Sequence, residues 1–153
     1  MKRSYFIALE KHGNNDPLAL SEVIEQLAFN EQGLIPVITQ DANTKSMLMF
    51  AWMNKDALRK TLATKRMTYW SRSRQQLWVK GETSGHVQRL VAMSFDCDGD
   101  AILCQVEQQG ASCHTGRQSC FYLNVDLKKY QIHVSENATG QPYTGSRIQK
   151  VSQ

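Results

Sequence analysis

The chain has 153 residues, 41% of them hydrophobic, and a formal charge of +4 at neutral pH. That length predicts one domain that buries its own core without staples, and no apolar run reaches the span of a bilayer. The opening "MKRSYFIALEKHG" places basic residues before an apolar run, but Glu10 and Lys11 end that run too early for a secretory signal, so the chain is expected to be cytoplasmic. In that reducing compartment the four cysteines, Cys97, Cys104, Cys113 and Cys120, read as metal ligands or catalytic thiols rather than disulfides.

Taken in chain order, Asp16-Pro17 is a helix start, with Leu20, Val23, Ile24 and Leu27 at helical spacing as far as Gly33. "LIPVIT" and "MLMFAWM" are strand-like apolar runs, and Asn54 caps a second helix, "KDALRKTLATK", with Ala57, Leu58, Thr61 and Leu62 on one face. Beyond Lys65 the period changes to two. "MTYWSRS", "QLWVKG", "VQRLVAMSF", "AILCQVE", "CFYLNVD" and "YQIHVS" are short, aromatic or β-branched, and divided by Gly, Ser or Asn. This pattern predicts an α+β domain, an antiparallel sheet or partly closed β-barrel flanked by two helices. Residues 1–32 read as a helical N-terminal extension, 33–126 as the core, and 127–153 as a last strand with a polar tail.

The charge is uneven. Lys55, Arg59, Lys60, Lys65, Arg66, Arg72, Arg74, Lys80 and Arg89 face only Asp56 and Glu82 in the same stretch, a field suited to a phosphorylated small molecule or a nucleic acid, or simply a solvated helix and loop. Within it, "YWSRSRQQLWVKGETSGHVQ" interleaves Tyr69, Trp70 and Trp78 with Arg72, Arg74 and Lys80 and then offers Glu82, Thr83, Ser84, Gly85 and His86, a mixture able to stack a base and bind phosphate, or simply strand aromatics packed in the core.

In "DCDGD", strand alternation would send Asp96, Asp98 and Asp100 to one face and Cys97 to the other. Three carboxylates on one face call for a hard cation, Mg²⁺ or Ca²⁺; the alternative is a solvated acidic turn around Gly99. A calcium-binding helix–loop–helix, whose third, fifth and twelfth loop positions Asp98, Asp100 and Glu107 would match, stays open as a rival but is disfavoured by Ala101, where its loop needs glycine, and by strand-like flanks. Fifteen residues separate Cys97 from Cys113 and six separate Cys113 from Cys120, so no zinc knuckle exists. Three thiolates would leave zinc one open position, the condition for activating water. Cys104 sits in an apolar strand and reads as core. "SCHTGRQSCF" adds His114, a candidate proton relay, and Arg117, a candidate phosphate ligand.

Together, "YWSRSRQQLWVKGETSGHVQ", "DCDGDAILCQVEQQG" and "SCHTGRQSCF" resemble the defining blocks of the phosphoribosyl-AMP cyclohydrolases of histidine biosynthesis, over roughly Gly33 to Val125. Ala111-Ser112 departs from the family's Pro-Ala without touching a ligand position. The resemblance implies a hydrolase that opens the adenine ring of phosphoribosyl-AMP at C6–N1. It also implies zinc on Cys97, Cys113 and Cys120, Mg²⁺ on Asp96, Asp98 and Asp100, and a homodimer that shares each zinc site between its chains. Trp70, Arg72, Arg74, Lys80, Ser84 and Arg117 are then the candidate substrate contacts, and His114 the catalytic candidate. The rival from another class is a zinc-containing nucleic-acid-binding module; a nucleoside deaminase lacks its H-x-E and P-C-x-x-C signatures here. Neither nucleic acid nor a membrane is expected as a partner.

Overall fold

The computed structural model describes residues 2–135. Among them three helices precede or interrupt eight strands: α1 (Lys2–Leu9), α2 (Leu20–Gln26), β1 (Ile35–Asp41), β2 (Met47–Met53), α3 (Lys55–Thr64), β3 (Thr68–Ser71), β4 (Gln76–Val79), β5 (Gln88–Phe95), β6 (Ile102–Gln108), β7 (Leu123–Asp126) and β8 (Gln131–Val134). All six period-two segments contain the expected strands, and no helix among the described residues is long and apolar enough to cross a membrane. The polar tail from Glu136 lies outside the described residues.

Two local expectations change. Asp16 does not start a helix; its N–H closes a turn onto Gly13 O at 3.2 Å, and α2 begins only after Ala19, which makes no side-chain cap. Ile24 and Leu27 are buried as the spacing predicts, while Leu20 faces solvent. The extra helix, α1, has eight residues, too few to persist alone; burial of Phe6 in the core gives it a tertiary reason to form.

The sheet is mixed, in the order β2-β1-β6-β5. β1–β2 and β5–β6 are antiparallel, but β1 runs parallel to β6, Val37 opposite Ile102 through Asp41 opposite Val106. Among the described residues no barrel closes: β3–β4 and β7–β8 are separate two-stranded ribbons. The ribbon β3–β4 is tied over the sheet by Met67 N–H to Gln88 O at 3.0 Å, Leu90 N–H to Lys65 O at 2.7 Å and Lys80 N–H to Met67 O at 3.0 Å.

One core cluster joins Phe6, Ile24 and Leu27 of the N-terminal segment to Val37, Leu48, Leu58, Tyr69, Ile102 and Cys104. α3 packs Ala57, Leu58 and Thr61 inward, and the Asn54 side chain caps it by accepting Ala57 N–H at 2.8 Å. A buried polar chain sits under the ribbon: Tyr69 Oη donates to Gln88 Oε1 at 2.6 Å and lies 2.7 Å from Thr39 Oγ1, while Gln88 Nε2 donates to Gln108 Oε1 at 2.8 Å. Burial raises the Tyr69 phenol well above its ordinary range and keeps it neutral as a donor. Because Tyr69 points into the core, its neighbour Trp70 is turned toward the opposite side of the ribbon.

Candidate active site

That opposite side is one wall of a cleft of about 750 Å³. β3 and the turn after it supply Trp70, Arg72 and Arg74, the turn after β4 supplies Lys80 and Ser84, and the loop after β6 supplies Cys113, His114 and Cys120. Gly81 shapes the second of these: its φ is +79°, and a Cβ there would stand 2.3 Å from the His86 backbone, so the turn folds tightly enough to bring Ser84 and His86 to the cleft.

The basic segment divides into two uses. On α3, Lys55 and Arg59 both pair with Glu25 of α2 at 3.1 Å, so these two cations hold one helix against another. Arg72 and Arg74 form no ion pair among the described residues, and Arg72 lies 5.1 Å from the Trp52 ring centre. A guanidinium stacked on indole keeps its donor edge available to an anion. Lys80 donates to Ser112 O at 2.5 Å and lies 5.3 Å from the Trp78 ring, fixing the thiol loop to the aromatic ribbon.

The two late cysteines come together. The neighbouring Cys120 thiol is the main influence holding Cys113 down to about 4, with Thr115 contributing its hydroxyl, at 3.1 Å, and its N–H against the opposing effect of burial. Cys113 is buried and Cys120 exposed, so the pair opens toward the cleft from the sheet edge, where Cys120 N–H reaches Leu48 O at 2.7 Å.

Cys97 and the aspartates are elsewhere. β5 ends at Phe95, so the strand does not continue through "DCDGD" and alternation does not sort its side chains; residues 96–101 are the turn between β5 and β6, closed by Asp96 N–H to Ala101 O at 3.1 Å. Asp96 Oδ1 accepts from Asp100 N–H at 2.9 Å and Ala101 N–H at 3.2 Å, a geometry of turns rather than strands. Cys97 Sγ is 3.5 Å from Asp98 Oδ1, which is the first cause of its raised pKa. The carboxylates still crowd: Asp100 is pushed up first by its hydrogen bond with Asp96, then by burial and by the charges of Asp96 and Asp98. β5 spans eight residues, a rise of about 25 Å, and this turn lies at the end of the sheet opposite the Cys113–Cys120 loop. Among the described residues no three Cys, His, Asp or Glu side chains of one chain converge to hold a metal.

Arg117 also stands outside the cleft lining. Its Nε donates to Ser135 O at 2.6 Å and its guanidinium lies 4.1 Å from the Tyr122 ring centre, anchoring the β7–β8 hairpin to the thiol loop. His86, which the sequence offered without a role, lines the cleft, and Trp52, which the sequence reading did not single out, lines it as well. Alternation along "MLMFAWM" puts Phe50 and Trp52 on one face, the signal by which Trp52 could have been found; His86 depends on the fold of the Gly81 turn.

A cleft that sets stacking rings and guanidinium groups beside paired thiols suits an enzyme for a phosphorylated aromatic molecule. Comparison makes the class specific: residues 49–122 match the family model described as phosphoribosyl-AMP cyclohydrolase. Curated relatives of that name include one from Roseobacter denitrificans, 60% identical over 66% of this chain and 79% of the relative, and one from Ruegeria, 58% identical over 71% and 84%. Another, from Alcanivorax borkumensis, is 48% identical over 80% of this chain and 89% of its own length. The chain belongs to the phosphoribosyl-AMP cyclohydrolase family of hydrolases.

Proposed function

We propose that this chain opens the adenine ring of 1-(5-phosphoribosyl)-AMP by adding water at C6 and breaking C6–N1, a step of histidine biosynthesis. The observation that carries the reading is the meeting, in one cleft, of a Cys113–Cys120 thiol pair with Trp70, Arg72 and Arg74. Trp70 and Trp52 offer faces for the purine, and Arg72, Arg74, Lys80 and Ser84 offer donors for its two phosphates. Held by both ends, the base is oriented with C6 toward the thiol pair, which removes orientational freedom before the bond is made. His114, half-buried on the cleft wall, moves the proton to the leaving N1.

The donor chemistry fits zinc at the thiols, because Cys113 is already a thiolate at neutral pH, and it fits Mg²⁺ at the aspartates, whose crowding a hard cation relieves. When bound, zinc supplies the Lewis acidity that makes water nucleophilic near neutral pH. Cys97 lies at the far end of its own sheet, so the third thiolate is assigned to Cys97 of the partner subunit in a homodimer, and the aspartate turn accompanies it. The apolar face of the β7–β8 hairpin supports a partner: Leu123, Val125, Ile132 and Val134 lie on one side and are each more than half exposed.

The deciding assay follows ring opening by absorbance on purified protein with phosphoribosyl-AMP, before and after chelation. Turnover that disappears on chelation and returns with zinc is the expected result. No turnover by the zinc-loaded protein, with salt-sensitive binding of generic oligonucleotides in its place, would sink the proposal.

A further inference from the structure

The family match begins at residue 49, yet the segment before it grips the turn that carries Cys97 and the aspartates. Gly99, the centre of that turn, is buried and has φ +68°; a Cβ built on it would fall 2.2 Å from Phe6 Cε2 and 2.3 Å from Phe6 Cζ, so the ring occupies the place where a side chain would be. From the other side Ala28 N–H, just past α2, donates to Gly99 O at 2.8 Å. Phe6 is itself 6% exposed and belongs to the core cluster with Ile24 and Leu27. Two separate pieces of the N-terminal segment therefore hold one glycine, and that glycine stands between Asp98 and Asp100 and two residues from Cys97.

We propose that Phe6 is a positioning residue for the metal-ligand turn: its ring, with the Ala28 hydrogen bond, locks residues 96–100 in the shape that presents Cys97 and the aspartates. The proposal rests on the reading that this turn holds metal. The turn's own bonds, Gly99 N–H to Asp96 O at 3.0 Å and the two N–H groups on Asp96 Oδ1, set its local form, and Asp96 N–H to Ala101 O at 3.1 Å joins its base to the β5–β6 ladder, but none of them holds its tip at Gly99 against the core. The external grip supplies that. A ligand turn ordered before the ion arrives loses less freedom on binding, so the grip is read in metal affinity rather than in the chemical step.

The test compares zinc-loaded full-length wild type, Phe6→Ala, Phe6→Leu, Ile24→Ala and Cys97→Ser by competition with a chromogenic chelator, with circular dichroism to confirm folding at the assay temperature. Phe6→Ala is expected to hold zinc about tenfold more weakly, the scale typical of residues that support a ligand from behind. Phe6→Leu, which keeps most of the core volume but not the flat ring, should fall between. Ile24→Ala removes a comparable core side chain that is not among the nearest atoms to Gly99; it should lower the melting temperature and leave zinc affinity unchanged. In a double-mutant cycle, Gly99→Ala should weaken zinc more in the wild-type background, where its Cβ strikes the ring, than in Phe6→Ala, the strain at positive φ being common to both. Wild-type zinc affinity in folded Phe6→Ala, or in Phe6→Leu if the alanine variant does not fold, overturns the positioning role. Retention of zinc by Cys97→Ser would refute the ligand assignment instead, which keeps the two failures apart.

Discussion

At Cys113 and Cys104 the same functional group is given opposite chemistry by its surroundings. Burial alone pushes the Cys104 thiol up to about 12, whereas Cys120 and Thr115 hold Cys113 down to about 4. Zinc, expected at one per chain, should therefore be lost in Cys97→Ser, Cys113→Ser and Cys120→Ser and kept in Cys104→Ser, as read by elemental analysis. A metal-free Cys104→Ser protein beside a fully loaded Cys113→Ser would reverse the assignment. The Cys113 environment also predicts a titration. In chelated protein the ultraviolet absorbance of one thiolate should persist to acid pH, fall with a midpoint of about 4, and be missing from Cys113→Ala. Because the folded pKa is depressed, the stabilisation from this thiolate is complete above the ordinary thiol value of 9.0 and is lost as pH falls toward about 4.

Among the elements, α3 and the β7–β8 hairpin invite different tests. The Asn54 cap was legible because a short polar side chain stands directly before an amphipathic repeat; Asn54→Ala should cost about 1 kcal/mol, measured by urea unfolding. An unchanged midpoint would mean that the Asn54–Ala57 bond contributes nothing. The hairpin was legible as two strands, but not as a ribbon with an uncovered apolar face, because alternation shows that a face is apolar and cannot show what lies against it. Val125→Asp on that face should yield monomers by light scattering and release zinc together with the partner. A dimer of unaltered zinc content would place the interface elsewhere.

For the whole molecule the question is where three thiols can meet. Mixing Cys97→Ala with Cys113→Ala, each inactive alone, tests the shared site: a heterodimer gathers both lesions in one site and leaves the other with all three thiols. Random exchange makes half the dimers mixed with one of two sites intact, so about a quarter of wild-type activity should return. If subunit exchange is verified and the mixture stays dead, each chain must hold its own zinc.

The strand segments, the capped third helix and the family blocks were determined by sequence alone, because period-two patterning, a cap and a long motif are local properties. The parallel pairing of β1 with β6 was decided by tertiary structure, since β2, α3, β3, β4 and β5 lie between them along the chain. So was the position of Cys97: spacing counts residues between ligands, but whether those residues return to the start or run the length of a strand depends on where β5 and β6 are laid in the sheet. The turn at Asp96 shows the same division, its carboxylates evident in five letters and its tip at Gly99 packed against Phe6 and bonded to Ala28, far away in the sequence and in contact only once the core has formed.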